Sequence, residues 1–414
     1  MKILILGSSV IGITTAYELQ KDGHEVTVID RQPKPAMETS YANAGLIAPG
    51  HAFSWAAPGM PSNLFKSIYR KDQVFRFRSN LNPQLLRWGW QFFKECTKTR
   101  SIRNTEKKFQ FCRYSQQIFH KVIEETGIEF DRVQGGLLYI YRSQEALEEG
   151  VEKAEILRNQ NMVLEVVDRN RVCEIEPSLE PVKEKIAGAI FAPSDEAGDT
   201  YQFTEKLSQI CKQKGVEFKF NTTVKKLAFN NDRIKNVVTD QGEFKADAFV
   251  LAMGPFSPKL VKPLGIYLPI YPVKGYSITI PVQNGSTAPT GAGIDEHHFL
   301  GYARFGDRIR FTSIAEISGY STAHSPADFE FIINAAKDLF PTAGDFSNAE
   351  YWAGLRPMTP EGIPILGWSK FENLYFNTGH GHLGWTMACG SAKIVADLIE
   401  GRETEIEGVW GSAV

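Results

Sequence analysis

Two glycine-rich stretches near opposite ends of the chain have residue types suited to hold a flat, phosphate-bearing molecule. The first, Gly7-Ser8-Ser9-Val10-Ile11-Gly12, follows a short apolar run and opens a helical pattern. In such a turn the first glycine makes the bend, the last lets helix pack on strand, and free N–H groups of the helix bind phosphate oxygens. Asp30, 18 residues after Gly12, ends the next apolar run, where a carboxylate binds ribose hydroxyls and repels a 2′-phosphate. The pattern predicts a dinucleotide site that disfavours NADP; the alternative is an ordinary strand–turn–helix of an α/β domain.

Ser9 stands where a dinucleotide turn usually has its second glycine, the residue that lets the backbone approach the pyrophosphate. Its side chain adds a Cβ and a hydroxyl at that point. Three outcomes are open: the pyrophosphate lies slightly farther out, the hydroxyl donates a hydrogen bond to it, or binding is lost.

The second stretch, Gly379-His380-Gly381-His382-Leu383-Gly384, places few large side chains in the path of a flat ring. A helical pattern begins at Trp385, so the N–H groups at its start can face a ring edge where negative charge develops. The alternative is a glycine-rich loop on the surface.

The elements that must position these stretches alternate between strand and helix patterns. Residues 2–6, 10–21 and 25–29 predict a β-α-β unit. The alternating pattern over 271–319 predicts an antiparallel sheet with a hairpin turn at 305–308. Further strands are predicted at 136–141, 187–192, 216–221, 248–252 and 374–377, with a β-meander over 224–244. Helices are predicted at 203–215, 328–340 and 385–399, and mostly helix over 62–125.

Composition excludes several classes of protein. The chain of 414 residues has 43% hydrophobic and 23% charged residues, and its net charge of -2 argues against a dedicated nucleic-acid binder. It has no apolar run of about 18 residues, and its N-terminal apolar stretch is too short for a signal peptide. The cysteines form no C-x-x-C pair, which predicts neither a metal site nor an iron–sulfur cluster and suits a reducing cytoplasm. They are Cys96, Cys112, Cys173, Cys211 and Cys389.

Five stretches together resemble the FAD-containing subunit of bacterial D-amino-acid dehydrogenases, within the D-amino-acid oxidase and glycine oxidase-like flavoproteins. The similarity extends from residue 1 to about 405, with GLRPMTP and NTGHGHLGWTMACG as its most specific parts, and Ser9 departs from the glycine usual in that family. The stretches are ETSYANAG at 38–45, GLIAPGHAFSWAAPGMP at 45–61, PVKGYSITIP at 272–281, WAGLRPMTPEGIPILG at 352–367 and NTGHGHLGWTMACGSAK at 377–393.

The resemblance implies an α/β fold with a discontinuous, Rossmann-like FAD-binding domain and an α+β substrate domain built on an antiparallel sheet. The FAD-binding domain is expected at 1–52, 150–265 and 355–414. The substrate or cap domain is expected at 53–149 and 266–354, including a basic aromatic helical region at 62–121.

The resemblance also implies FAD as the cofactor, and no family motif for covalent attachment is visible, so we expect it to be non-covalent. The expected contacts are the two glycine-rich stretches, a segment beside the flavin ring, and strand ends near the adenine. They are Gly7, Ser8, Ser9, Val10, Ile11, Gly12, Asp30, Arg31, Ser40, Ala42, Asn43, Ala44, Gly45, Leu46, Val224, Ala252, Gly254, Gly379, Gly381, His382, Leu383, Gly384, Trp385 and Thr386.

Arg356, in GLRP, is the expected ligand of a substrate carboxylate, because a planar guanidinium can donate two parallel hydrogen bonds to it. The alternative is a strand-end arginine paired with a structural acid. Tyr276, in KGYS, is expected as a second carboxylate or pocket contact, with a buried core tyrosine as the alternative. Arg304, His382 and His51 are further pocket candidates.

The implied reaction is oxidative deamination of D-amino acids, with small neutral ones such as D-alanine favoured. The neutral amine loses its Cα hydrogen as hydride to flavin N5, the imine hydrolyses to a 2-oxo acid and ammonia, and a quinone or other respiratory acceptor takes the electrons. One alternative is a related amine oxidoreductase for sarcosine, glycine or proline-type substrates with oxygen as acceptor. Another is a non-catalytic, membrane-associated flavin-binding protein.

The 62–121 region contains 14 Lys and Arg, 3 Asp and Glu, and 12 aromatic residues. One interpretation is a helical part of the substrate domain with solvated lysines. A second is a surface that meets an anionic membrane leaflet, where cations attract lipid and aromatics lie at the interface. A nucleic-acid patch is the third, but no recognition motif accompanies it, so we expect no nucleic-acid partner. The expected location is the bacterial cytoplasm, on the inner face of the cytoplasmic membrane.

Overall fold

A computed structural model of the chain describes residues 1–62, 74–78, 82–283 and 287–411. Its strands are β1 (Lys2–Leu6), β2 (Glu25–Ile29), β3 (Leu46–Ile47), β4 (Phe75–Phe77), β5 (Leu137–Tyr141), β6 (Glu165–Asp168), β7 (Gly188–Ala192), β8 (Glu196–Ala197), β9 (Glu217–Lys219), β10 (Val224–Asn230), β11 (Arg233–Thr239), β12 (Gly242–Phe244), β13 (Ala248–Leu251), β14 (Tyr271–Pro281), β15 (Ala292–Asp295), β16 (Leu300–Phe305), β17 (Arg308–Ile317), β18 (Glu350–Met358), β19 (Ile365–Trp368) and β20 (Leu374–Thr378). Its α-helices are α1 (Val10–Lys21), α2 (Pro83–Glu95), α3 (Lys98–Thr126), α4 (Gln144–Arg158), α5 (Arg169–Ile175), α6 (Thr200–Gln213), α7 (Ser257–Val261), α8 (Glu330–Leu339) and α9 (Gly384–Glu400).

A six-stranded sheet, in the order β19-β20-β13-β1-β2-β9, brings the two ends of the chain together. Its neighbours pair in parallel except for β19 and β20. Strand β1 has apolar side chains on both faces, because other elements of the protein cover both faces of the sheet at this strand. Ile3 and Ile5 pack in the same core as α1, α3 and α9, whereas Leu4 and Leu6 pack with the β10-β11-β12 meander and α7. The first and last helices therefore lie together over the sheet, next to both glycine-rich stretches.

The second large sheet has nine strands in the order β18-β14-β17-β16-β15-β5-β7-β6, with β4 paired to β17. It is antiparallel except where β5 meets β15 and β4 meets β17. Strands β14 and β18 pair over nine residues, which sets Val273 beside Arg356 and Gly275 beside Gly354. The sheet thus fixes the strand that carries the predicted substrate arginine.

The domain boundaries stay predictions. Strands β6 and β7, inside the 150–265 segment assigned to the cofactor domain, pair with β5 in the nine-stranded sheet. The small β3-β8 ladder joins the segment after β2 to the residues after β7.

The expectation of helix over 62–125 is wrong at Phe75–Phe77, which is strand β4, and correct for α2 and α3. Residues 63–73 and 79–81 of that region lie outside the described part of the chain. Helix α6 starts at Thr200, before the predicted 203, because the Asp199 carboxylate caps the N–H groups of Tyr201 and Gln202. No helix in the described part of the chain is long and apolar enough to cross a membrane.

Candidate active site

A cavity of about 650 Å³ lies where the carboxyl ends of β1, β2, β13 and β20 meet the strands β14 to β18. Ligands of open α/β sheets bind at this edge because strand-to-helix loops converge there. The predicted site residues that line the cavity are Gly7, Ser9, Val10, Ile11, Asp30, Arg31, Ser40, Ala42, Asn43, Ala44, Gly45, Leu46, His51, Val224, Ala252, Gly254, Tyr276, Arg356, Gly381, His382, Leu383, Gly384 and Trp385.

The first glycine-rich turn depends on close backbone contacts. A Cβ on Gly7 would lie 2.6 Å from the carbonyl oxygen of Ala252, and one on Gly12 would lie 1.9 Å from the carbonyl oxygen of Gly7. The backbone N–H and hydroxyl of Ser8 both donate to Asp30, at 2.7 and 2.8 Å. Ser8 and Gly12 were predicted as cofactor contacts, but they do not line the cavity and instead hold the shape of the turn.

The second glycine-rich stretch forms a short 3-10 helix, Gly381–Leu383, that leads into α9. His380 and Trp385 line the cavity, and their buried Nε2 and Nε1 atoms have no hydrogen-bond partner among the described residues. Burial lowers the pKa of His380 to about 3, so its imidazole is neutral. Predicted contacts Gly379 and Thr386 do not line the cavity, and Thr386 bonds to the backbone of Leu46 and Ala48.

Arg356 faces the cavity from β18, as predicted. Its Nη1 donates to the carbonyl oxygen of Ile314 at 2.9 Å, and within the described residues it has no carboxylate partner. Burial alone lowers its pKa to about 10, so it remains a cation at neutral pH. A Cβ on Gly275 would lie 2.4 Å from the Arg356 Cζ, so glycine at that position leaves room for the guanidinium.

Tyr276 and Arg304 differ from their predicted roles. Tyr276 lines the cavity, but its buried hydroxyl donates to Glu316 at 2.9 Å, which matches the core-tyrosine alternative. Arg304 is not a cavity residue: its Nε donates to the carbonyl oxygen of Gly306 in the hairpin between β16 and β17. Arg304 lies on a strand of the nine-stranded sheet that borders the cavity. Because side chains alternate between the two faces of a strand, its side chain lies outside the cavity.

His382 stacks on Trp55 with the ring centroids 4.7 Å apart, and its Nε2 lies 3.4 Å from the Nζ of Lys108. Burial, followed by the charges of nearby cations, holds the pKa of His382 well below its ordinary value. His382 is therefore a neutral side chain, suited to hydrogen bonding rather than to carrying a positive charge.

Several cavity residues with aromatic or ionisable side chains were not predicted, among them Phe53, Trp55, Lys153, Glu296 and His380. Phe53, Trp55 and His380 lie in stretches that carried the family resemblance, so the signal was present. Lys153 lies in a charged helix pattern and Glu296 follows a strand, and neither pattern distinguishes a cavity residue from a solvated one.

Comparison with known proteins identifies the family. Residues 2–398 match the DAO family of FAD-dependent oxidoreductases. The chain belongs to this family. Among its relatives is D-amino acid dehydrogenase 2 of Mesorhizobium japonicum, 44% identical over 408 residues and covered to 98% in both chains. Another is D-amino acid dehydrogenase of Bradyrhizobium diazoefficiens, 42% identical over 407 residues, or 98% of this chain and 97% of the relative.

Glycine oxidase from Bacillus cereus shares the fold, with a TM-score of 0.73 and 22% identity over 97% of this chain and 96% of that one. The predicted α/β flavoprotein fold and FAD cofactor are confirmed for this DAO-family chain. The relatives also support the predicted enzyme class, an FAD-dependent amino-acid dehydrogenase.

The DAO-family cavity fits FAD on its own geometry. Its pyrophosphate end has the Gly7 turn and the start of α1. Its ring end has the glycine-rich 3-10 helix and two buried ring nitrogens, of His380 and Trp385, that have no hydrogen-bond partner in the described part of the chain. Within residues 1–62, 74–78, 82–283 and 287–411, no group of three or more His, Cys, Asp or Glu side chains is placed to hold a metal ion.

Ser9 is the N-cap residue of α1 with φ of -67°, a conformation open to any residue, and its side chain makes no capping hydrogen bond. Ser9 lines the cavity, and we expect its hydroxyl to donate a hydrogen bond to a phosphate of FAD. A hydrogen bond to a charged group contributes about 1.5 to 3 kcal/mol. We therefore expect Ser9→Ala to weaken FAD binding by roughly tenfold or more. The fluorescence of FAD released when the holoenzyme is diluted measures this change.

Ser9→Thr keeps the hydroxyl and is the matched control, expected to bind FAD as the wild type does. Equal FAD affinity of Ser9→Ala and wild type would instead mean that the pyrophosphate lies beyond reach of the hydroxyl.

Proposed function

We propose that this chain oxidatively deaminates D-amino acids, with small neutral ones such as D-alanine favoured, to 2-oxo acids and ammonia, and passes the electrons to a quinone or other respiratory acceptor. Bound FAD supplies the acceptor for the hydride that leaves Cα. Arg356 binds the substrate carboxylate and so orients Cα, while the surrounding protein excludes bulk water from the reacting centre.

The proposal depends on one observation: Arg356 has no carboxylate partner among the described residues. A desolvated charge without an anionic partner is costly, and among the described residues the guanidinium has a hydrogen bond to the Ile314 carbonyl oxygen and a cation–π contact with the Trp55 ring at 6.0 Å, but no carboxylate. A substrate carboxylate supplies the missing anion through two parallel hydrogen bonds. The names of the relatives support the choice of a D-amino acid.

An anaerobic titration of the holoenzyme tests the reaction directly. We expect D-alanine to bleach the flavin absorbance and L-alanine, sarcosine and proline to leave it unchanged. Bleaching by sarcosine or proline would favour the related amine oxidoreductase. No bleaching by any D-amino acid would contradict the proposal, and turnover with a quinone compared with oxygen identifies the acceptor class.

We further propose that α2 places the chain against the inner face of the cytoplasmic membrane. Leu86, Trp90 and Phe93 lie on one stripe of this helix and are 57%, 62% and 45% exposed. Large apolar side chains clustered on a surface are typical of membrane or protein contacts. Exposed cations flank the stripe on α2 and the start of α3: Arg87, Lys94, Lys98, Arg100 and Arg103.

The charge around this stripe favours an anionic bilayer. The single acidic residue of segment 82–103, Glu95, is buried and paired with Arg100 and Arg103. On the opposite side of α2, Trp88 donates to the carbonyl oxygen of Met358 at 2.8 Å, two residues from Arg356. The helix therefore packs against β18 beside Arg356 and Pro357, which line the cavity, so a membrane-bound acceptor would lie near the cavity.

Flotation with vesicles tests the membrane contact. We expect the wild type to float with vesicles of phosphatidylglycerol and phosphatidylcholine at low salt, and not with phosphatidylcholine alone. The double variant Trp90→Ser, Phe93→Ser should stay in solution, whereas Trp368→Ser, which removes a tryptophan 55% exposed on β19, should float. Equal flotation of the double variant and wild type would rule out the α2 stripe.

A further inference from the structure

One end of the cavity contains charged groups for which the proposed reaction has no use. We call it the polar end and define it by His51, Phe53, Lys153 and Glu296, all of which line the cavity. His51 and Phe53 follow β3, Lys153 comes from α4, and Glu296 follows β15. Three separate elements therefore converge on this end, as in a binding subsite.

Lys153 brings an ammonium group to the polar end of the cavity. Its Nζ lies 4.2 Å from the centroid of the Phe53 ring, and in the described parts of the chain it makes no hydrogen bond or ion pair. Lys153 is an exposed residue that lines the cavity, and desolvation of its ammonium by the surrounding protein lowers its pKa. An ammonium in this position is available to an anion that enters the cavity.

The carboxylate of Glu296 contacts His51 and, among the described residues, makes no ion pair with Lys153. His51 Nε2 lies 2.8 Å from its Oε1, so this carboxylate is already held by one partner. Burial raises the pKa of Glu296, but the charges of His51 and Lys153 outweigh it and hold the pKa below its ordinary value. Glu296 is thus hydrogen-bonded to His51, and in the described parts of the chain it forms neither a hydrogen bond nor an ion pair with Lys153.

The charge of Lys153 also acts on His382. After burial, the influences that lower its pKa come from Lys108, His51, Arg356 and Lys153. The pKa of His382 is therefore lowered both by Arg356 and by residues of the polar end. A substrate whose α-carboxylate pairs with Arg356 neutralises that cation, while the Lys153 ammonium stays without a hydrogen-bonding anion among the described residues.

We propose that Lys153 forms a second anion subsite, which binds the side-chain carboxylate of an acidic D-amino acid such as D-glutamate while Arg356 binds the α-carboxylate. The proposal rests on the proposed function and extends its substrate class to acidic side chains. D-alanine has no group that reaches Lys153. Among D-amino acids with longer side chains, the subsite selects an anionic side chain over a neutral one of the same shape.

D-glutamate and D-glutamine test the subsite because they have the same shape and differ in side-chain charge. We expect the wild type to have at least tenfold higher kcat/KM for D-glutamate than for D-glutamine, and Lys153→Met to bring the ratio to about one. Lys153→Arg should keep most of the preference. Lys235→Met, which removes an exposed lysine outside the cavity, is the matched control and should keep the wild-type ratio.

The ratio separates recognition from any general effect on the flavin, because such an effect changes both rates equally. FAD content and the unfolding transition establish that Lys153→Met is folded. A wild-type ratio near one, or an unchanged ratio in Lys153→Met, would overturn the subsite. Anaerobic bleaching by D-alanine distinguishes the two hypotheses: bleaching without a D-glutamate preference contradicts the subsite alone, whereas no bleaching by any D-amino acid contradicts the proposed function.

Discussion

Arg356→Met is expected to lower kcat/KM for D-alanine by roughly 100- to 1,000-fold, as when one partner of a buried charge pair is removed. The substrate carboxylate would enter a buried site without its cation, and Cα would lose the contact that orients it. Because the guanidinium has no carboxylate partner in the described chain, its removal leaves no protein acid unpaired. We therefore expect the FAD content and the free energy of unfolding to stay close to those of the wild type.

Steady-state kinetics with D-alanine, together with spectral titration with propionate as a non-reacting carboxylate, measure this effect. Arg304→Met is the matched control, because Arg304 lies on the same sheet but outside the cavity, and it should retain wild-type kinetics. Wild-type kcat/KM in Arg356→Met would show that Arg356 does not bind the substrate.

Gly12→Ala is expected to weaken FAD binding by about 100-fold and to lower the free energy of unfolding by about 1 to 3 kcal/mol. Alanine normally favours a helix, but here its Cβ would lie 1.9 Å from the carbonyl oxygen of Gly7, which belongs to the backbone and cannot move aside alone. The turn must open, so the N–H groups of α1 shift away from the phosphates. Two lost hydrogen bonds to charged oxygens account for the expected change in affinity.

Gly89→Ala is the control for this substitution, since Gly89 lies inside α2 and a Cβ there would meet no atom within 4 Å. We expect it to bind FAD normally and to be slightly more stable than the wild type, by up to about 1 kcal/mol. FAD content after purification and chemical unfolding of both variants provide the measurements. Normal FAD content in Gly12→Ala would mean that the turn has more freedom than these contacts allow.

Much of the fold could be predicted because its signals are local. The apolar runs of β1 and β2, the alternation along β14 to β17 and the glycine turns each reflect the preference of a few consecutive residues. Even so, the β4 strand at Phe75–Phe77 was missed, because three residues give too short a pattern and their pairing with β17 is a long-range contact.

Only some residues of the candidate site could be predicted from the sequence. Residues that touch the cavity with their backbone, such as Gly7 and Gly381, are apparent from the sequence because a tight turn that approaches a ligand favours glycine over any residue with a side chain. Which charged side chains face the cavity is not apparent from the sequence. Arg304 and Arg356 both lie on strands of the nine-stranded sheet, and only one of them faces the cavity.

By itself the sequence determined the elements, the family resemblance and the type of cofactor, because these follow from patterns in neighbouring residues and from matched motifs. The tertiary structure alone decided which charges meet in the cavity. In the tertiary structure Arg356 has no carboxylate partner among the described residues, and the side chain of Arg304 lies outside the cavity. The hydroxyl of Tyr276 donates to Glu316, and Lys153 lies at the polar end. The physical reason is that electrostatic interactions depend on distance and burial between residues far apart in the chain, and no local pattern specifies those.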